Sequence, residues 1–319
     1  MAKRAPKPPK LYTLKKMPKV DAHLHIRPTE RGGPLDEKAG SKMIRIMNQV
    51  GIDVCINLSG TRPMAADVPR LNKKWKGRIL TCPSQFQLKQ GLWWNKKDLM
   101  QFAEDGCAGI KIWAQYQRGT AKASLIKKVG YQAEAGLPLI GFHVADPPQG
   151  AYWRPTYWDC IYDAEKVIKA NPDVTIIMAH GFWLMNEDDT LEVLGKFFDK
   201  YPHLNVDISA VFQWWDPPRP TYAKLRRFIL KYKDRILYGT DGNPNYSKLE
   251  HYQQTYDILE KKTGNYRGFF GGGRTTNEYV QPLGLPNDVL NYIYWWNAAR
   301  LIPQVKKSLA GLGYEVGRH

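Results

Sequence analysis

Eight short runs of apolar and β-branched residues alternate along this chain of 319 residues with segments of helical periodicity, and few folds accommodate that rhythm. The runs are Lys19 to His25, Ile52 to Ser59, Arg78 to Pro83, Gly109 to Trp113, Pro138 to Val144, Val174 to His180, Leu204 to Ser209 and Arg235 to Thr240. Between them, Ser41 to Val50, Lys97 to Asp105, Ala123 to Ala135, Tyr157 to Ala170, Thr190 to Lys200 and Thr221 to Tyr232 read as helices. Several of these end in Gly or Pro chemistry that stops a helix and feeds a strand, as at Val50-Gly51-Ile52 and Asn171-Pro172. Alternation of this kind makes parallel βαβ units, and eight of them close into an α/β barrel of the (β/α)8 TIM type.

A barrel of this size is one domain. Its expected bounds are residues 18–304, closed by a helix from Asn287 to Leu301, with a flexible, basic, proline-rich tail at 1–17 and a C-terminal extension at 305–319. An open doubly wound sheet would carry a glycine-rich phosphate turn after its first strand, and none is there. Gly271-Gly272-Gly273 comes far downstream after Gly268-Phe269-Phe270, which does not read as an extended strand, so a mobile loop is expected.

The net charge of +17 invites a nucleic-acid reading, but the basic residues are spread over tail, helices and C-terminal end, and no nucleic-acid-binding motif appears. A solvated basic surface is the plainer expectation, with no nucleic-acid partner. No apolar run reaches the roughly 20 residues of a membrane span, so neither spanning nor a membrane partner is expected. No secretory signal is legible at the amino terminus, which points to the cytoplasm, although a leader removed upstream of this numbering is compatible with the sequence. Four widely spaced cysteines, Cys55, Cys82, Cys107 and Cys160, form no CxxC pair and read as buried free thiols.

Four of the runs end on groups able to bind a metal: His23-Leu24-His25, His143, His180 and Asp241. In a strand the side chains of His23 and His25 fall on one face about 6 to 7 Å apart at their backbones, within reach of a single ion. A histidine pair alone is common in protein cores. Its meaning changes when His143, His180 and Asp241 fall at the C-terminal ends of later strands, because in a parallel barrel those ends meet at one mouth.

These segments resemble the amidohydrolase superfamily, in particular the amidohydrolase-related branch that includes aminocarboxymuconate semialdehyde decarboxylase-like proteins. The resemblance rests on Asp21-Ala-His-Leu-His25, Phe142-His-Val-Ala-Asp-Pro-Pro148, Met178-Ala-His-Gly181, Leu204-Asn-Val-Asp-Ile-Ser209, Tyr238-Gly-Thr-Asp-Gly242 and Asn297-Ala-Ala-Arg300, and covers about residues 18 to 304. It implies that His23, His25, His143 and Asp241 hold one divalent metal. His180 then either completes the coordination or stands beside it as an acid or base. A mixed nitrogen and oxygen donor set suits Zn2+, with Mn2+ or Fe2+ as alternatives. Such an ion lowers the pKa of its water from about 15.7 toward 7 and polarises a carbonyl. Asp241 and His180 are therefore the expected catalytic pair, Asp241 accepting a proton and His180 stabilising an oxyanion or protonating a leaving group.

Lys111 lies in the fourth run. In binuclear superfamily members a lysine on that strand is carbamylated and bridges two ions, whereas the branch resembled here is usually mononuclear; Lys111 is read as a cation for a substrate carboxylate or in a structural ion pair, with carbamylation as a third reading. The loops beyond the strands are rich in aromatics and arginine. Arg27, Lys111, Trp113, Trp153, Arg154 and Trp183 are the candidate substrate-binding residues, with packing of the rim as the alternative for the rings. Asp146-Pro147-Pro148 and Asp216-Pro217-Pro218 read as stiffened loops, and Asp207 as a residue that orients a histidine ligand.

The expected function is a metal-dependent hydrolase acting on an amide, ester or lactone bond of a small, anionic, cyclic or aromatic/sugar-like substrate. A metal-dependent decarboxylase (lyase) of a carboxylated aromatic or muconate-like substrate is the alternative. The family resemblance implies a homodimer, for which Trp295-Trp296 is a candidate interface and a core position the other reading.

Overall fold

A computed structural model of the chain describes residues 5–84, 94–112, 123–143, 155–185, 188–212, 222–270 and 274–317. Its parallel strands are β1 (Val20–Leu24), β2 (Val54–Gly60), β3 (Ile79–Pro83), β4 (Leu139–Phe142), β5 (Ile176–Met178), β6 (Leu204–Asp207) and β7 (Ile236–Leu237). They pair in parallel as β1-β2-β3 and β4-β5-β6-β7. The run at Gly109 to Trp113 contracts to Ile110 and Lys111, which bridge Leu139 on one side and Ser84 on the other. At the second seam Leu24 bridges Gly242, and the amides of Thr240 and Asp241 donate to the His23 carbonyl at 3.3 and 2.8 Å. Both seams are thus joined by parallel backbone bonds, and the architecture is the expected (β/α)8 barrel.

The helices follow from capping as much as from periodicity. The first begins at Glu37 rather than Ser41, because the Asp36 carboxylate accepts from the amides of Lys38 and Ala39 and Gly51 ends the helix with φ 74°. Two helices, Arg62–Ala66 and Val68–Trp75, fill the second crossover, and Leu249–Glu260 the last. The strand Tyr266–Phe270, β8, pairs antiparallel with Arg274–Val280, β9. The expectation of no strand at Gly268-Phe269-Phe270 was therefore wrong, since two phenylalanines beside a tyrosine suffice for a hairpin arm. Residues 271–273 lie outside the described residues.

Residues 5–17, read from sequence as a tail, are bonded to the far end of the chain. Asn291 accepts from the Tyr12 amide and donates to its carbonyl, both at 2.9 Å. The Trp296 indole donates to the Pro6 carbonyl at 2.8 Å, and the Tyr12 ring stands edge-on to Trp295 and Tyr314. Trp295 is fully buried and Trp296 nearly so, which places the pair in the core of the chain rather than at an interface. They belong to the closing helical stretch, which runs from Asn287 to Leu301 through a π-helical turn at Tyr292–Trp296. Cys55, Cys82 and Cys107 are buried, and none of the four cysteines forms a disulfide. Among the described residues no helix is long and apolar enough to cross a membrane.

Asn291 is fully buried and also accepts from the Trp295 indole at 3.0 Å. Asn291→Ala leaves the Tyr12 amide and that indole without their partner. It is expected to cost about 2–4 kcal/mol, since each unsatisfied buried donor costs about 1–3 kcal/mol; urea unfolding of the two proteins checks it.

Candidate metal centre

The seam between β1 and the last strand assembles the centre. Asp21 is wholly buried and accepts from the amides of His23 and Thr240, each at 3.1 Å, and from the Thr240 hydroxyl at 2.6 Å. Burial raises its pKa to about 7 against the pull of these donors. This latch sets Asp241 directly across from the two histidines of β1. Asp241 Oδ1 lies 3.5 Å from His23 Nε2 and 3.2 Å from His25 Nε2.

The other nitrogen of each ring is already engaged. His23 Nδ1 is 2.9 Å from Asp207 Oδ2 and 3.0 Å from the Ser209 hydroxyl. His25 Nδ1 is 2.7 Å from the Ser59 hydroxyl. His180 Nδ1 is 2.9 Å from the Ser209 carbonyl, to which it donates. Each imidazole thereby turns Nε2, with its lone pair, away from these partners, as a metal ligand requires. His23, His180 and Asp207 also come close enough to suggest a second group of ligands. There the nitrogens facing Asp207 are the Nδ1 atoms, already hydrogen-bonded, so this group orients the rings rather than offering an ion a site. Gly239 permits the crowding: a Cβ on it would meet His23 Cβ at 3.0 Å and Ser209 Cβ at 3.1 Å.

His180 sits on an unusual backbone. His180, Gly181, Phe182 and Trp183 all have positive φ, between 55° and 61°, as do Ala210 (58°) and Asp241 (53°) just past β6 and β7. The left-handed region costs a non-glycine residue about 1–2 kcal/mol, and here it is held by contacts. The Tyr157 hydroxyl donates to the Phe182 carbonyl at 3.1 Å, and the Trp183 ring lies over His180 with centroids 4.6 Å apart.

The electrostatics keep the ligands in their metal-ready states. Burial, followed by the charge of Lys111, lowers His23 well below the usual imidazole range and His25 to about 4. Burial and then His143 lower His180. Burial works against the Asp241 carboxylate, but the hydrogen bond with His25 and the attraction of the neighbouring rings whenever they are protonated outweigh it, and its pKa falls well below the ordinary value. Neutral imidazoles thus surround one anion.

His23, His25 and Asp241 form one group whose donor atoms all lie within 4.8 Å of one another. His143 is not brought into it; its ring packs 4.8 Å from that of His180 and 6.4 Å from that of Trp183. Lys111 is 1% exposed, and its Nζ points inward, 3.4 Å from His23 Nε2 and 3.3 Å from His25 Nε2. Trp183 is buried against His180, and Arg27 is exposed two residues beyond His25. Trp113, Trp153, Arg154 and both Asp-Pro-Pro segments lie outside the described residues. Sequence reasoning passed over Asp21, Ser59, Ser209 and Asn57, the last accepting from the Ile26 amide at 2.8 Å and donating to its carbonyl at 3.1 Å. The signal was period-two alternation, since Asp21 lies two residues before His23 and Ser209 two after Asp207.

The profile of a family described as amidohydrolase matches residues 98–304, more than half of the chain, beginning after the His23-Leu24-His25 strand. No curated protein matches the sequence. Among solved structures, an uncharacterized TIM-barrel protein from Bordetella bronchiseptica superposes with a TM-score of 0.58 at 16% identity, covering 91% of this chain and 100% of its own. Amidohydrolase 2 from Bifidobacterium longum subsp. infantis does so with a TM-score of 0.51 at 15% identity, covering 90% and 98%. Both likenesses are of fold.

Two outcomes follow. Asp207→Ala frees His23 Nδ1 and should weaken zinc binding 10–100-fold, the usual effect of losing a partner behind a ligand, as read by competition with a chromophoric chelator. For metal-free protein, the lowered pKa of His25 means that between about pH 6.5 and 4 the unfolded chain takes up a proton the folded chain refuses. His25 therefore costs stability as pH falls through that window, by at most about 3 kcal/mol. His25→Asn should lose less stability than wild type between pH 6.5 and 4 in urea titrations with chelator present; parallel losses would contradict the assignment.

Proposed function

The chain belongs to the amidohydrolase family, whose members are metal-dependent hydrolases, and we propose that it cleaves an amide, ester or lactone bond in a small anionic substrate carrying a ring. The observation that carries this reading is the convergence of His23 Nε2, His25 Nε2 and an ionised Asp241 at the mouth of the barrel. Two neutral imidazoles and a carboxylate, each fixed from behind, suit a divalent ion, and zinc is the natural occupant of that donor set. When bound, such an ion supplies Lewis acidity toward a carbonyl oxygen and toward water.

The chain's own groups supply the proton chemistry. Asp241, ionised at neutral pH, accepts the proton that an attacking water loses. His180 is neutral, with Nδ1 committed to the Ser209 carbonyl, so Nε2 is the nitrogen that takes a proton and passes it to the leaving group. The left-handed turn and the ring of Trp183 hold that nitrogen in one direction, which a proton shuttle requires. His143 stands beside His180 and, after burial, adds to the lowering of its pKa. Arg27, exposed beyond the ligands, is placed to meet a substrate anion at the mouth. The cytoplasm and a homodimer complete the proposal.

A panel of lactones, esters and amides with and without a carboxylate, assayed with zinc-loaded protein, tests the reading. His23→Ala should lose both metal and turnover. His180→Ala should lose turnover, by about 100-fold or more, while keeping its zinc. Release of carbon dioxide from a carboxylated ring, without consumption of water, would favour the decarboxylase instead; equal loss of metal from both variants would make His180 a ligand.

A further inference from the structure

The segment that leads into β1 is anchored on both sides of an exposed turn. Tyr12 is tied through both backbone groups to Asn291, and its hydroxyl accepts from the Glu315 amide at 2.7 Å. The chain is buried again at Met17. Between these anchors the Lys16 amide donates to the Thr13 carbonyl at 2.9 Å, closing a turn with Leu14 and Lys15 at its two central positions. All four residues from Thr13 to Lys16 are exposed.

A single leucine in water needs no explanation, but this segment displays two among cations. Leu11 is 56% exposed and Leu14 38%, two of the six large hydrophobic side chains exposed among the described residues. Another close pair of them, Tyr246 and Leu249, is followed by Glu250, whereas the leucines have Lys10 before them and Lys15 and Lys16 after them. Lys10 is paired with Glu315. Lys7, Lys15 and Lys16 have no carboxylate within ion-pair distance among the described residues.

Apolar side chains set among uncompensated ammonium groups fit the boundary of an anionic bilayer. Headgroup phosphates and carboxylates meet the lysines, whose long stems keep the charge in the headgroup layer while the leucines reach the acyl boundary. A nucleic acid would use the lysines and leave the leucines in water. The turn is ordered before contact, so little freedom is lost on binding. The net charge of +17 draws the whole protein toward such a surface.

We propose that the segment from Lys7 to Lys16 is a docking surface for an anionic lipid bilayer, with Leu11 and Leu14 inserted at the headgroup boundary and Lys7, Lys15 and Lys16 among the headgroups. The lack of a long apolar run, from which no membrane partner was expected, bears on spanning a bilayer and not on lying against one. The segment enters β1 at its N-terminal end, whereas His23 and His25 lie toward the other end of that strand. Docking there leaves the mouth of the barrel facing away from the lipid, and the inference is independent of what the mouth binds.

Flotation of the full chain with phosphatidylcholine vesicles, with and without phosphatidylserine, tests the proposal. Wild type should float with the anionic vesicles alone, and less as salt is raised. Each lysine near an anionic surface strengthens binding about fivefold, so Lys15→Gln/Lys16→Gln should bind about 25-fold more weakly. Leu11→Ser/Leu14→Ser should weaken binding by about tenfold or more while keeping the salt dependence. Both variants change exposed side chains, and circular dichroism should match wild type. No flotation with either vesicle, or equal flotation with both, overturns the proposal. Undiminished flotation of Leu11→Ser/Leu14→Ser overturns it as well, and duplex DNA bound by that variant as tightly as by wild type would then make the segment a site for phosphate polyanions.

Discussion

The carboxylate of Asp207 lies entirely out of water and accepts from the His180 and Ser209 amides at 3.2 and 3.0 Å, from the Ser209 hydroxyl, and from His23 Nδ1. A buried anion is tolerated only when its lone pairs are satisfied, and here the groups that satisfy it belong to three strand ends. The position of each imidazole is thus a by-product of solvating one carboxylate with protein. Moving any one donor would leave the others short of a partner, which is why the rings of His23 and His180 can be held to a direction although they sit at the end of short strands.

A second carboxylate performs the matching task at the seam. Asp21 draws Thr240 onto β1, and the His23 carbonyl accepts the Asp241 amide, so closure of the barrel and delivery of the Asp241 carboxylate are the same event. Among the described residues, five of the six non-glycine residues in left-handed conformation, all but Lys76, cluster at this rim. Their strain is sustained because the rim is packed, with Phe182 and Trp183 buried against neighbouring rings.

How much of this could be read in advance depends on the range of the forces involved. The strands were legible because an apolar run ended by Gly or Pro is a local signal, and the ends of those runs carried His23, His25, His180 and Asp241 to one mouth. The helix Leu249–Glu260 was not, since four of its six buried residues, His251, Tyr252, Thr255 and Tyr256, carry polar groups that periodicity discounts. The partnership of Ser59 with His25, or of Ser209 with two rings, depends on strand register across the barrel, which no window of sequence contains. The inward reach of Lys111 has the same origin: its strand contracts to a pair of bridging residues, and the room for its stem comes from Gly141 on the next strand.

The joining of β1 to the final strand has a temporal side. His23 and His25 leave the ribosome among the first residues of the barrel, whereas the residues that fix their rings, Ser59, Asp207 and Ser209, and the facing Asp241 follow over most of its length. The group formed by His23, His25 and Asp241 is accordingly complete only once the barrel has closed.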